Sequence, residues 1–155
     1  MSLIRVIKPG IQWLGAIDWD RKLFDALIPL LNGTIYNSYL IKGSEKTALV
    51  DAVDTSMLDV LLGNLKALDI GKIDYIISQH AEQDHSGSIK KLAELYPDAK
   101  IVASGKCKEL LVAFSLVSED RVMDVKDGQK LSLATRHWSS SKLLEFTGRT
   151  PCLPT

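Results

Sequence analysis

The residues with the clearest capacity for chemistry lie in one hexad, His80-Ala81-Glu82-Gln83-Asp84-His85. Two of the three histidines in the chain stand here, with two carboxylates between them. Imidazole and carboxylate donors together suit iron, manganese or zinc rather than calcium. Four such donors in so short a stretch are more than one metal ion is expected to use, so the pattern indicates a site with more than one metal.

The position of the hexad supports this interpretation. An apolar run at residues 73–78 predicts a buried strand before it, and residues 86–95 predict a helix after it. Loops at the carboxyl ends of strands are where α/β proteins place their sites. If the loop is not helical, the i, i+2, i+4 spacing of His80, Glu82 and Asp84 lets them face one point, with His85 directly after them.

A simpler interpretation of the hexad stays open. Glu82 and Asp84 precede a predicted helix, where acidic side chains favour the helix dipole and cap free N–H groups. His80 and His85 would then be ordinary surface histidines.

The elements around the hexad predict an α/β protein with a mixed sheet and flanking helices, because strands come first and then alternate with helices. Residues 20–30 are ambiguous, with a short helix ending at Pro29 as one interpretation. The helices are predicted at residues 55–68, 86–95 and 106–116. The strands are predicted at residues 3–8, 11–17, 34–42, 47–53, 73–78, 100–103, 121–125 and 129–133.

The bulk composition excludes several classes of protein. The chain has 155 residues, of which 46% are apolar, enough for one compact domain. Its 19 basic and 19 acidic residues balance, which gives no sign of a nucleic-acid or membrane partner. No apolar run is long enough to span a bilayer and no signal peptide is evident, so we expect a cytoplasmic location.

Several stretches, with the hexad, resemble the flavodiiron protein family, a branch of the metallo-β-lactamase superfamily. The superfamily places H-x-H-x-D-H at this strand-to-helix junction, and the flavodiiron branch has Glu at the second His position, as at Glu82. The resemblance covers about residues 5–134 and implies the N-terminal half of a metallo-β-lactamase-like αββα sandwich. The other matching stretches are GAIDWD at 15–20, YNSYLI at 36–41, KTALVD at 46–51 and IDYII at 73–77.

The resemblance also implies a ligand set and cofactors. His80 and Glu82 would bind one iron of a di-iron centre, and Asp84 and His85 the other. Intact relatives reduce dioxygen to water or nitric oxide to nitrous oxide. Their electrons pass from a rubredoxin-like or flavin-reductase donor to FMN, held on a flavodoxin-like domain that docks across a head-to-tail dimer.

The last residues depart from the family pattern. Residues 1–134 are interpreted as a partial metallo-β-lactamase-like domain, and residues 135–155, here called the tail, as non-family sequence. Reading the tail one base earlier with permitted codons gives LEFIEAPGIHWPDTMFTY, which contains the expected third-histidine motif. We therefore expect a frameshift after about residue 137. With downstream ligands and the flavodoxin-like domain absent, the di-iron centre is expected to be incomplete or missing and FMN is not expected to bind. The chain is therefore expected to be inactive.

Other residues admit two interpretations each. Asp51 and Asp54 follow a predicted strand and would either support the metal site or form a turn. Cys107 at a predicted helix start would have a lowered pKa or be a plain buried cysteine. His137 and Cys152 are surface tail residues or accidental ligands. The aromatic residues Trp13, Trp19, Tyr36 and Tyr39 belong to the core or line a substrate-facing or flavin-facing edge.

Two other functions compete with a reductase. One is a metallo-hydrolase of the same superfamily, with metal-bound hydroxide as nucleophile; Glu82 in place of the second His argues against it. The other is a non-catalytic fragment. Half of a sandwich would leave an apolar sheet face uncovered, so self-association into a homo-oligomer is expected.

Overall fold

A seven-stranded mixed sheet organises the chain in a computed structural model that describes residues 4–24, 27–134 and 137–139. Its strands are β1 (Arg5–Lys8), β2 (Ile11–Trp13), β7 (Tyr39–Lys42), β8 (Thr47–Val50), β9 (Tyr75–Ile77), β10 (Lys100–Ala103) and β11 (Val122–Asp124), and they lie side by side in this order. The first four strands pair antiparallel, and β8, β9, β10 and β11 pair parallel.

Within the described residues, three short strand pairs stand apart from the large sheet, each of them antiparallel. They are β3 (Ala16–Asp18) with β6 (Thr34–Tyr36), β4 (Leu23–Phe24) with β5 (Ile28–Pro29), and β12 (Lys130–Ser132) with β13 (His137–Ser139). In the same part of the chain, four α-helices connect the parallel strands. They are α1 (Leu58–Ala67), α2 (Gln83–Ser86), α3 (Ile89–Leu95) and α4 (Gly105–Ala113).

Apolar side chains pack on both faces of the large sheet. One cluster joins sheet residues such as Leu49 and Ile76 to residues of α1, α3 and α4. A second cluster lies on the other face, where Ile41 and Val50 pack with Leu131 and Leu133. The second face is therefore covered at these positions, contrary to the expectation that it is left open.

Two predicted strands each divide into two. The run at residues 11–17 breaks into β2 and β3, and the run at 34–42 into β6 and β7, with the pieces in different sheets. The break coincides with a close approach at Gly15, where an added Cβ would lie 2.0 Å from the carbonyl oxygen of Tyr36. The Leu14 N–H donates to the Ser38 carbonyl at 2.8 Å across the same corner.

Two helix predictions also need correction. The short helix over residues 20–30 is wrong, because the described residues there form the β4–β5 hairpin. The helix predicted at 86–95 begins earlier, since α2 already starts at Gln83, and it is interrupted before α3. An added Cβ at Gly87 would lie 2.6 Å from the Gln83 carbonyl oxygen, so the first of the two residues between α2 and α3 needs to be small.

The predicted class is confirmed: the chain is an α/β protein with a large mixed sheet and flanking helices. In the part of the chain that the structure describes, every helix is too short or too polar to cross a bilayer.

Candidate metal centre

The hexad lies in the segment that follows β9, here called the hexad loop (residues 78–87). Backbone hydrogen bonds hold this loop against the segment that follows β8. The Ala52 N–H donates to the His85 carbonyl at 2.8 Å, and the Ser88 N–H donates to the Val53 carbonyl at 3.1 Å. Because β8 and β9 are parallel neighbours, their carboxyl ends bring the two segments to one edge of the sheet.

His85 is held between two carboxylates. Its Nδ1 lies 2.8 Å from Asp51 Oδ2, and its Nε2 lies 3.4 Å from Asp84 Oδ2. Burial opposes protonation of the ring, but the hydrogen bonds to Asp51 and Asp84 outweigh it and raise the pKa of His85 to about 10. Burial alone would raise the pKa of Asp84, yet its hydrogen bond with His85 lowers it.

His80 is paired with the other carboxylate of the hexad. Its Nδ1 lies 3.8 Å from Glu82 Oε2, and the His80 and His85 ring centroids are 3.7 Å apart. Burial lowers the pKa of His80, and so does the charge of His85. The four predicted donors are therefore brought together as two adjacent pairs, His80 with Glu82 and Asp84 with His85.

The backbone of the hexad differs from the expected form. Asp84 and His85 lie within α2, so only the first part of the hexad is a non-helical loop. Glu82 is the N-cap residue of α2, but its side chain makes no capping hydrogen bond. Among the residues that the structure describes, no three His, Cys, Asp or Glu side chains already form a metal-binding cluster. The assignment of all four donors to metal stays a prediction.

The two aspartates after β8 have different roles. Asp51 is buried, with a positive φ of 57°, and its carboxylate accepts hydrogen bonds from the Gln79 N–H at 2.8 Å and the Gln79 side chain at 2.7 Å. Asp54 caps a 3₁₀ turn through the Ser56 N–H and lies 3.7 Å from the Arg21 guanidinium. Asp51 therefore supports the hexad, and Asp54 forms a turn.

A cavity of about 210 Å³ opens beside the Asp84 end of the hexad. Of the wall residues outside the hexad, only Tyr36 was considered from the sequence as a possible substrate-facing residue, because most of the others come from segments far from the hexad in sequence. Tyr36 in this wall donates to Asp18 Oδ2 at 3.4 Å, and burial together with nearby Asp54 raises the pKa of its phenol to about 12. The lining residues are Arg21, Phe24, Thr34, Tyr36, Asp54, Gln83 and Asp84.

The remaining candidates divide between core and surface. Burial raises the pKa of the Cys107 thiol to about 11, so the suggestion of a lowered pKa is wrong. Trp13 and Tyr36 are buried, Tyr39 is half-buried and Trp19 is 67% exposed. His137 lies in β13, where only the backbone is described, and Cys152 lies outside the described residues.

The donor set fits iron. Two imidazoles and two carboxylates, none of them fully buried, face one region at a loop that buried residues hold in place. Metal-binding histidines usually donate one ring N–H to a carboxylate, and the Asp51 carboxylate lies beside His85 Nδ1 in this way. The other ring nitrogen, Nε2, is on the side of Asp84.

Comparison with known sequences points to one family. The sequence model described as "ODP family beta lactamase" matches residues 35–145. The anaerobic nitric oxide reductase flavorubredoxin of Salmonella typhi is 32% identical, over 96% of this chain and 33% of that protein. The nitric oxide reductase of Moorella thermoacetica is 35% identical, over 91% of this chain and 38% of that protein. The chain thus spans about a third of the length of the curated relatives it matches.

Solved structures give the same result. Rubredoxin oxygen:oxidoreductase from Desulfovibrio gigas superposes with a TM-score of 0.82 at 33% identity, over 90% of this chain and 35% of that chain. A metallo-beta-lactamase from Cronobacter sakazakii has a TM-score of 0.71 at 22% identity, over 91% of this chain and 54% of that chain, and shows the shared fold alone.

Proposed function

Because this chain belongs to the flavodiiron protein family, we propose that its hexad loop is the iron-binding loop of an oxygen or nitric oxide reductase. The observation that carries the proposal is the arrangement of the hexad as two imidazole–carboxylate pairs beside a buried Asp51. His80 and Glu82 would hold one iron, and Asp84 and His85 the other. The chemistry that two bound irons supply is the transfer of electrons to dioxygen or nitric oxide.

The residues around the loop support a small substrate. The cavity beside Asp84 has a volume of about 210 Å³, which suits a diatomic molecule with a few waters better than a larger organic substrate. Tyr36 in the cavity wall donates its phenol proton to Asp18 Oδ2 at 3.4 Å, which links the wall to the β3 strand. Arg21 closes another part of the wall through its ion pair with Asp54.

Reduction requires more than this loop. Two irons with roughly four to six ligands each need more donors than the four in the hexad. We therefore expect the chain by itself to have no reductase activity, and a complete site to draw its other donors from outside the hexad. In the complete enzyme, FMN and a rubredoxin-like or flavin-reductase donor would supply the electrons. The domain boundary at residue 134, the cytoplasmic location and the homo-oligomer also stay predictions.

The test is the number of irons bound per chain. The protein is loaded anaerobically with Fe²⁺, freed of excess metal, and assayed for iron by elemental analysis. We expect bound iron in the unaltered protein and its loss in the His80→Ala/Glu82→Ala and Asp84→Ala/His85→Ala variants. The matched control is His137→Ala, which removes the only histidine outside the hexad and should leave the iron content unchanged.

Two outcomes would contradict the proposal. One is an unaltered protein that binds no iron. The other is iron binding that survives both double variants, which would place the metal elsewhere. Preferential binding of zinc together with hydrolysis of thioesters or lactones would favour the metallo-hydrolase instead.

A further inference from the structure

We infer that Ser86 is a positioning residue of the hexad loop, whose hydroxyl fixes the peptide that carries Glu82. This inference rests on the proposed function, because it concerns the same loop. Ser86 offers no donor to a metal in this arrangement, since its hydroxyl is directed to the backbone of the loop. Its side chain acts through Glu82 and is not itself a ligand.

The hydroxyl of Ser86 is shared between two consecutive carbonyl groups. Ser86 Oγ donates to the Ala81 carbonyl oxygen at 2.9 Å and lies 3.1 Å from the Glu82 carbonyl oxygen. Ser86 is only 1% exposed, and Ala81 is 7% exposed, so water cannot readily replace this contact. A buried carbonyl that loses its hydrogen bond is costly, and this cost holds the hydroxyl in place.

The Glu82 carbonyl is the centre of this arrangement. It also accepts the N–H of His85 at 2.9 Å and the N–H of Ser86 at 2.8 Å. Two backbone donors and one side-chain hydroxyl thus converge on the peptide between Glu82 and Gln83, where the loop changes from extended backbone to helix. The preceding peptide, between Ala81 and Glu82, is held by the same hydroxyl.

Glu82 needs this support more than the other donors do. Its side chain is 38% exposed, whereas the side chains of His80 and His85 are 17% and 24% exposed. His85 is also fixed directly by Asp51 at 2.8 Å. Glu82 is thus the most exposed of the four candidate donors, so the two peptides that flank it contribute to the direction of its side chain together with its contact to His80.

Ser88 provides a matched control. It is as buried as Ser86, at 1% exposed, and lies two residues away. Its hydroxyl donates to the Asp54 carbonyl at 3.4 Å, outside the hexad loop. Substitution of either serine by alanine removes one buried hydroxyl, but only Ser86→Ala removes a donor from the carbonyl groups of Ala81 and Glu82.

The first experiment compares metal affinity and ligand field. Co²⁺ is titrated into the unaltered protein, Ser86→Ala and Ser88→Ala, in competition with a chelator, and the visible d–d spectrum is recorded. We expect Ser86→Ala to weaken Co²⁺ binding about tenfold or more and to change the spectrum. Ser88→Ala should keep the spectrum of the unaltered protein, and its Co²⁺ affinity should stay within about threefold, because the Ser88 hydroxyl donates to the Asp54 carbonyl, outside the hexad loop. Equal affinities and spectra for the two variants would overturn the inference.

The second experiment needs no metal. Amide hydrogen exchange is measured on the metal-free proteins at the His85 and Ser86 N–H groups, which both donate to Glu82. Ser86→Ala should accelerate their exchange about fivefold or more relative to Ser88→Ala, as expected for the loss of one net hydrogen bond. Unchanged exchange in Ser86→Ala would overturn the inference.

The two experiments separate the two claims. If the unaltered protein binds no iron or cobalt, the proposed function fails, while hydrogen exchange still decides whether Ser86 fixes the loop. If metal binds and Ser86→Ala behaves like Ser88→Ala, the function stands and the inference about Ser86 fails.

Discussion

Two regions of the chain that meet at the candidate site differ in how they are built. The helix-covered segment (residues 47–103) has a continuous core in which Ile76, Leu92 and Ile101 are fully buried. The hairpin segment (residues 16–36) exposes large apolar side chains on its surface. They are Trp19 at 67%, Leu23 at 44%, Leu27 at 81%, Ile28 at 56%, Leu31 at 92% and Ile35 at 56%.

This difference separates two tasks. The helix-covered segment supplies all four candidate donors and Asp51, and its packing gives them a fixed frame. The hairpin segment supplies Arg21, Phe24, Thr34 and Tyr36 to the cavity wall. Its buried Ala16 and Tyr36 join the main apolar cluster. The candidate donors therefore lie in the segment with the continuous core, whereas most of the cavity wall comes from the segment with more exposed apolar side chains.

The largest expected effect is the loss of a core side chain in the helix-covered segment. Ile76→Ala should lower the free energy of unfolding by about 2–5 kcal/mol, because Ile76 is fully buried and its removal leaves a cavity. Ile28→Ala makes the same chemical change in the hairpin segment and should cost roughly 0.5 kcal/mol or less. Urea denaturation followed by circular dichroism measures both. If both variants lowered the free energy of unfolding by similar amounts, the proposed difference in packing between the two segments would be wrong.

A smaller effect is expected at Asp51, which joins the hexad loop to β8. Asp51→Ala removes the acceptor of the two Gln79 hydrogen bonds and places alanine at φ 57°, so it should cost about 2–3 kcal/mol. Asp51→Asn should cost about 1 kcal/mol, because asparagine tolerates this backbone conformation and keeps an acceptor oxygen. The same denaturation experiment tests both variants. An Asn variant as unstable as the Ala variant would show that the negative charge, rather than geometry, is required.

The smallest effect on stability concerns the exposed apolar surface of the hairpin segment. If self-association buries this surface, Leu27→Ser/Leu31→Ser should shift the protein toward monomer while the free energy of unfolding changes by less than about 0.5 kcal/mol per site. Light scattering over a range of concentrations measures the mass. Leu95→Ser, at an exposed leucine on α3, is the control. A mass unchanged by the double variant would exclude this surface as the contact.

Much of the fold was predictable because its signals are local. The apolar run at 73–78 predicted β9, and the helical periodicity at 55–68 predicted α1. The hairpin segment was not predictable in the same way. The breaks that divide 11–17 and 34–42 coincide with the close approach of Gly15 to Tyr36, and a contact between positions so far apart in sequence leaves no periodic signal.

The candidate site was predictable to a different degree. The hexad identifies its donors by residue type alone, and the structure brings them together as two pairs. The sequence does not distinguish the roles of Asp51 and Asp54. The fold shows that Asp51 contacts His85, whereas Asp54 contacts Arg21. The sequence predicts Ser86 as the first residue of a helix, but the helix α2 begins at Gln83. This earlier start places the Ser86 hydroxyl against the Ala81 carbonyl, a contact that the sequence pattern does not indicate.

The bond between Asp51 and His85 joins residues that are 34 positions apart in sequence. The chain must therefore close a long loop and pair β8 with β9 before the hexad loop acquires its shape, which is a slow kind of folding step. A peptide that contains only the hexad would carry the same candidate donors, but it would not hold them in this spatial arrangement. If the loop binds metal as proposed, metal capture would be a late event in folding, and the ion would stabilise a structure that the chain has already formed.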